Sequence, residues 1–278
     1  ILRSTDGGAT WSATGTLGTQ PVREDDGITG LPDRAMVTSV VIDPNSPKDI
    51  DHRVVYASCI GYGVYRSTDG GIHWEKYNMG MEDEPYQMPW RLEYNADYSR
   101  LYVVFAQMGG GAKTGTEEGK LALIDYHPGD GPVYYLERGQ DTWTKLASMP
   151  SNANSDANME SSWKGNDYVS VFSGVSFDSK GNIFASGKVA SLNGAPGKRE
   201  FGGGWVSGDD GHTWKLIYPS NENVYDLQVD SRNDNVLYLC NTTGGEVYVS
   251  YKGADTTFDD WIKLDGFQFT VPTRVIED

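Results

Sequence analysis

Residues 63–77 read GVYRSTDGGIHWEKY and contain the pattern Ser-x-Asp-x-Gly-x-x-Trp, which the chain spells three times. The other copies are LRSTDGGATWSA at 2–13 and WVSGDDGHTWKLI at 205–217. The residue types describe a tight hairpin. Asp69 can accept bonds from backbone N–H groups of its own turn, and Gly70 and Gly71 permit positive φ. Ser67 closes the turn and Trp74 packs over it. Ser4, Asp6, Gly8 and Trp11 take these places in the first copy, and Ser207, Asp209, Gly211 and Trp214 in the third. A motif whose polar groups serve its own turn is structural, not catalytic.

Working outward, two eroded copies fill the gaps: YYLERGQDTWTKL around Trp143, and VYVSYKGADTTFDDWIKL around Trp261. Each copy follows two other strand-like runs. A first run ends in an acidic or amide turn, as in VTSVVIDPNSP, PWRLEYNAD, FSGVSFDSKG, VYDLQVDSRND and finally PTRVIED. A second run reads RVVYAS, RLYVVF, NIFASG or NVLYLC, and a third, GVYRS, GGGWVS or GEVYVS, leads into the hairpin. Pro and Asn in DPNSP suit type I turns, and the Gly of SKGN suits positive φ. No stretch has a helical period. Four antiparallel strands repeated every roughly 45 to 70 residues describe an all-β fold, a β-propeller of four-stranded blades. The expected blades are 31–80, 86–147, 167–218 and 222–266, with 1–15 ending an earlier blade and 267–278 starting a later one. The chain thus reads as one segment of a larger propeller, with a five-bladed ring carrying one defective blade as the alternative.

The 278 residues can bury a real core. With 34 Gly, 17 Tyr and 8 Trp the composition suits short strands and tight turns. The net charge of −16 repels phosphate backbones, so nucleic acid is excluded as a partner. No run is apolar enough for a membrane span and no signal peptide is visible. Cys59 and Cys240 form no disulfide framework or zinc pattern and read as small apolar strand residues. No metal or cofactor motif is present. QMGGGAKTG at 107–115 has Ala112 and Gln107 where a phosphate loop needs glycines. NGAPGKREFGGG at 193–204 fails similarly. DSRNDN at 230–235 lacks the twelve-residue calcium loop and reads as a turn. Asn241-Thr242-Thr243 is a glycosylation triplet.

The hairpin motif closely resembles the Asp-box of sialidases, xyloglucanases and sortilin-type receptors. As a unit, TSVVIDPNSP followed by RVVYASCIGYGVYRSTDGGIHW looks most like the xyloglucanase and sortilin-type propellers. The Arg-Ile-Pro of sialidases is missing. The resemblance implies ligand binding at the mouth of a central channel lined by the starts of the innermost strands. Aligned on their terminal acids or amides, those starts read Thr38-Ser39, Trp90-Arg91, Ser173-Gly174, Tyr225-Asp226 and Thr273-Arg274, each followed by an apolar residue. Trp90, Arg91, Tyr225, Asp226 and Arg274 stand out there as an aromatic platform with charges for a sugar ring. The other reading of the same residues is core filling by Trp90 and inter-blade ion pairs by Arg91 and Asp226. Segments 82–89, 106–119 and 149–167, the last holding Trp163, would shape the rim. A glycosidase needs two carboxylates; Asp226 and Glu93 are the best-placed pair, with Asp33 a third candidate. The expectation is a secreted, carbohydrate-active propeller acting on a polysaccharide or oligosaccharide, with another propeller or domain of the parent chain as a partner. The alternatives are a non-catalytic propeller that binds a glycan or protein, and a structural scaffold.

Overall fold

Among the described residues, alternating apolar runs broken by Gly, Asn and Asp turns become sixteen strands in four antiparallel sheets, preceded by a hairpin of strands β1 (Leu2–Arg3) and β2 (Ser12–Ala13). The computed structural model describes residues 1–14, 36–60, 62–81, 89–105, 133–147, 168–191, 201–220, 224–241 and 245–265. The first sheet holds β3 (Met36–Ile42), β4 (Val55–Ile60), β5 (Gly63–Ser67) and β6 (Glu75–Lys76). The second holds β7 (Pro89–Tyr94), β8 (Arg100–Phe105), β9 (Val133–Glu137) and β10 (Thr144–Lys145). The third is β11 (Tyr168–Phe177), β12 (Ile183–Ser191), β13 (Phe201–Ser207) and β14 (Lys215–Ser220). The fourth is β15 (Val224–Asp230), β16 (Asn233–Asn241), β17 (Val247–Ser250) and β18 (Ile262–Lys263). In every sheet the strands lie in chain order, so each is a simple meander. The described residues form two compact units: residues 1–92 with 136–144, and residues 93–105, 133–135 and 145 onward. The second sheet contributes strands to both.

The motif hairpins behave as their chemistry requires. In the first sheet the Ser67 hydroxyl accepts from the Gly71 amide at 2.8 Å and donates to the Asp69 carboxylate at 2.8 Å. Asp69 also accepts from the amides of Ile72 (3.0 Å) and His73 (2.9 Å), and the Trp74 indole donates to the Gly71 carbonyl at 2.9 Å. The hairpin of β1 and β2 repeats this with Ser4, Asp6, Gly8, Thr10 and Trp11. In the third sheet Ser207, Asp209, Gly211 and Thr213 make the same carboxylate and hydroxyl bonds. The eroded copies use their tryptophans differently. In the first unit the Trp143 indole donates to the Tyr77 carbonyl, just beyond β6, at 2.7 Å. In the second unit Trp261 donates to the Ile217 carbonyl of β14 at 2.8 Å. Where the turn has lost its own acceptor geometry, the indole ties one sheet to the sheet before it.

The hairpin carboxylates predict an acid-sensitive stability. The Thr213 hydroxyl, the Thr213 amide and the Ser207 hydroxyl pull Asp209 from 3.8 down to about 2. A carboxylate depressed in the folded state contributes stability above its ordinary pKa and loses it as pH falls through the folded value. Stability should therefore decline between about pH 4 and pH 2. Asp209→Asn should flatten that limb when thermal melting is followed against pH, and an unchanged limb would refute the assignment.

Both faces of the third sheet are buried. One face of the third sheet presents the cross-strand row Val175, Ala185, Trp205 and Leu216, packed with Tyr102, Val104 and Val133. Its other face sends Phe184, Val206 and Ile217 against Leu227, Leu237 and Leu239 of the fourth sheet. The equivalent row in the first sheet is Val40, Ala57, Tyr65 and Lys76. There Val40 is 46% exposed and Ile42 on the same face 53%, whereas Val175 and Leu227 have no exposure.

Candidate functional site

The first strands of three sheets carry a repeated irregularity at the positions where a ligand site was expected. The pairing of β3 with β4 slips between Val37 and Ser39, that of β11 with β12 between Phe172 and Gly174, and that of β15 with β16 between Val224 and Asp226. Thr38, Ser173 and Tyr225 are thus the extra residues of three equivalent bulges. A bulge re-aims a side chain out of the regular alternation. Two of these residues use that freedom to stitch neighbouring strands. In the first unit the Thr38 hydroxyl donates to the Pro89 carbonyl at 3.0 Å, and the Leu92 amide donates to the Ser39 hydroxyl at 3.2 Å. In the second unit Ser173 donates to the Val224 carbonyl at 2.7 Å, and Ser176 to the Leu227 carbonyl at 2.8 Å. The stitches were not legible as such, because serine and threonine at these places also suit an open channel wall. The signal was there in a hydroxyl at one aligned place in two sheets.

Tyr225 occupies the third bulge and is half-buried. Beside it Asp226 is completely buried. Its carboxylate accepts from the Gln228 side-chain amide at 2.9 Å and from the Leu227 amide at 3.1 Å. Gln228 is a partner that sequence reasoning did not identify; its signal is its place two residues along the same strand, on the same side of the pleat. On β7 Trp90 is half-buried and Arg91 is 8% exposed. Glu93 follows as a half-buried member of the second unit. The structure therefore places Trp90 with Arg91 on one strand and Tyr225 with Asp226 on another. Trp163, Arg274, Asp33 and the segments 106–119 and 149–167 lie outside the described residues, as do the phosphate-like stretch 107–115 and all of 82–89 except Pro89.

Other candidate chemistries resolve into framework roles. The amides of Arg232 and Asn235 donate to Asp230 and Asn233, and Asp234 accepts from the amide and hydroxyl of Ser179. The carboxylates and amide of the calcium-like stretch thus serve backbone groups. Asn241 is buried at the end of β16, where it pairs with Val224. Cys59 and Cys240 are buried strand residues, and burial pushes the Cys59 thiol up to about 12. Among the described residues no group of His, Cys, Asp and Glu is arranged to hold a metal ion. Among them, too, no helix is long and apolar enough to cross a membrane.

No family model matches the sequence. A xyloglucanase from a Paenibacillus species is 29% identical over 153 residues, 54% of this chain and 13% of the relative. The xyloglucanase Xgh74A of Acetivibrio thermocellus is 29% identical over 153 residues, 54% of this chain and 16% of its own length. The chain therefore matches less than a fifth of these relatives. Among solved structures, the GH74 enzyme of Niastella koreensis superimposes with a TM-score of 0.56 at 21% identity, covering 94% of this chain and 34% of that one. The fold is a part of a β-propeller, with sheets that do not close into a ring among the described residues, and the repeat resembles that of xyloglucanases.

Proposed function

We propose that this chain is a segment of a secreted, carbohydrate-active propeller protein that engages a polysaccharide of the xyloglucan type. The similarity over 153 residues to two xyloglucanases carries the proposal. The half-buried Trp90 and Tyr225 support it, since an aromatic ring suits the apolar face of a pyranose. Trp163 and Arg274 belong to the same proposed sugar-contacting set. In the hydrolytic form of the proposal, Asp226 and Glu93 supply the acid and base of glycosidic cleavage. The exposure of Val40 and Ile42, where Val175 and Leu227 are covered by a neighbouring sheet, supports packing against a further sheet or domain of the parent protein.

A second reading is a non-catalytic glycan-binding or protein-binding propeller. One observation favours it: Asp226 has no exposed surface and already serves the Leu227 amide and Gln228. A general acid must reach the leaving oxygen. Incubation with a panel of plant, algal and bacterial polysaccharides, scoring both binding and new reducing ends, separates the readings. New ends from one polymer, reduced by Asp226→Asn and Glu93→Gln, are the expected result for an enzyme. Turnover unchanged by both substitutions would dismiss the catalytic pair, and saturable binding without new ends would establish the binding module.

A further inference from the structure

Among the described residues two that are not glycine have positive φ, Tyr98 at 57° and Asp210 at 59°. Asp210 has an evident structural role. It fills the hairpin place held by Gly7 and Gly70 in the other copies, and its carboxylate meets the Arg100 guanidinium at 2.7 Å. Aspartate is also among the few residues that adopt this conformation readily. A bulky aromatic residue is not, and a tyrosine there requires a compensating reason.

The same turn recurs after β11. The Tyr98 amide donates to the Asn95 carbonyl at 3.0 Å, and the Gly181 amide donates to the Asp178 carbonyl at 3.3 Å. At Gly181, with φ of 88°, an added Cβ would meet nothing within 4 Å. The place is therefore one that glycine fills well and that opens outward. Tyr98 stands in it 47% exposed, so burial does not offset the backbone strain. Its ring meets Tyr94 edge-on, with centroids 6.3 Å apart and planes at 79°. The turn beneath is firmly held. The Arg100 amide donates to the Asn95 side chain at 2.9 Å, Asn95 donates to the Ser99 hydroxyl at 3.0 Å, and the Ser99 amide donates to Asp97 at 3.0 Å. The Ser99 hydroxyl and amide keep Asp97 below the usual carboxylate range, so it is ionised at neutral pH. The result is a hydrogen-bonded turn that carries a tyrosine ring, 47% exposed, next to an exposed carboxylate.

We propose that Tyr98, supported by Tyr94 and flanked by Asp97, is a surface platform for a pyranose unit of a neutral polysaccharide, separate from Tyr225 and Asp226. The apolar face of the sugar stacks on the ring, and its hydroxyls donate to Asp97 or pair with the phenol. A negative carboxylate favours a neutral polymer over an acidic one. The inference rests on the reading of the chain as carbohydrate-active.

The test is affinity electrophoresis of the whole chain through gels containing soluble xyloglucan, mixed-linkage glucan or the acidic polymer polygalacturonate. Three variants are compared with the parent: Tyr98→Gly, Tyr98→Ala and Tyr98→Trp. Loss of one stacked ring should weaken binding to the neutral glucan by about tenfold in Tyr98→Gly, while its Tm rises because the strain is relieved. Tyr98→Ala should weaken binding similarly, and Tyr98→Trp should retain it. If the parent chain is retarded by a glucan and Tyr98→Gly is retarded equally, the platform is refuted and the carbohydrate reading stands. If only the acidic polymer retards the chain, the assigned ligand class is refuted. If no polysaccharide retards the parent chain, both proposals fall.

Discussion

Replacing Trp205 by alanine is expected to lower stability by about 3–5 kcal/mol, the range for removing a large aromatic side chain from a packed core. Trp205 is 1% exposed and lies in the row Val175, Ala185, Trp205, Leu216. That row forms the cluster with Tyr102, Val104, Val133, Leu146 and Trp214. Gly203 makes room for it, since a Cβ there would come within 2.8 Å of the indole. A smaller side chain at 205 leaves a cavity that the two β-sheet backbones cannot collapse into, because their hydrogen bonds fix the strand positions. For a chain of this size the corresponding fall in Tm is roughly 6 to 20 °C. The control is Trp11→Ala. Trp11 is the hairpin tryptophan of the first copy, the counterpart of Trp214 and not of Trp205; it is 62% exposed, and its loss should matter by less than about 1 kcal/mol. Calorimetric melting of both variants decides the matter: equal shifts would show that the core has been drawn in the wrong place.

The contrast between those two tryptophans shows how far the fold was legible. Ser67, Asp69, Gly71 and Trp74 announce their hairpin because every bond in it is local, joining groups at most four residues apart. The turns after the first strands are equally local, with Asp43, Asp178 and Asp230 each accepting from an amide two residues on. Meander order then follows from short connections between antiparallel strands. What no local pattern contains is which sheet face meets a neighbour. Val40, Val175 and Leu227 are equivalent in sequence, and only the third dimension exposes the first. The use of Trp143 and Trp261 as ties to the Tyr77 and Ile217 carbonyls is hidden for the same reason.

Aligning the first strands of the sheets picks out equivalent positions, since the three bulges fall at the same aligned place, but a strand's alternation presumes a regular ladder. The bulges at Thr38, Ser173 and Tyr225 interrupt it, shifting the facing of each residue relative to its strand. Hydroxyls read as channel lining consequently reach a neighbouring backbone, and Asp226, read either as a site carboxylate or as an inter-blade ion-pair partner, is enclosed. The left-handed backbone of Tyr98 is not legible, because a tyrosine after Asp97 looks like any polar turn. Its oddity emerges only when its backbone is compared with that of Gly181.

A single methyl group at Gly70 is expected to be nearly as damaging as removal of the Trp205 indole, and the repeat supplies its own controls. Gly70 has φ of 70°, and a Cβ there would press into the Ile50 carbonyl oxygen, with the Arg3 guanidinium 3.3 Å away. The Gly70 amide also donates to the Arg53 carbonyl at 2.9 Å, so the hairpin cannot simply swing aside. Left-handed backbone costs an alanine about 1–2 kcal/mol, and forced overpacking adds about 1–3 kcal/mol. Gly70→Ala should therefore lose about 2–5 kcal/mol by chemical denaturation. Gly7 holds the same hairpin place at φ of 71° with nothing within 4 Å of its missing Cβ. Gly7→Ala should lose only the backbone share, about 1–2 kcal/mol. Asp210 holds that place in the third sheet and carries a full side chain toward Arg100, so the motif itself does not demand glycine. The demand at Gly70 comes from the short 3-10 turn Ile50–His52, which places the Ile50 carbonyl against the hairpin. Equal losses for Gly7→Ala and Gly70→Ala would mean that backbone conformation alone sets the requirement and that the Ile50 contact yields freely.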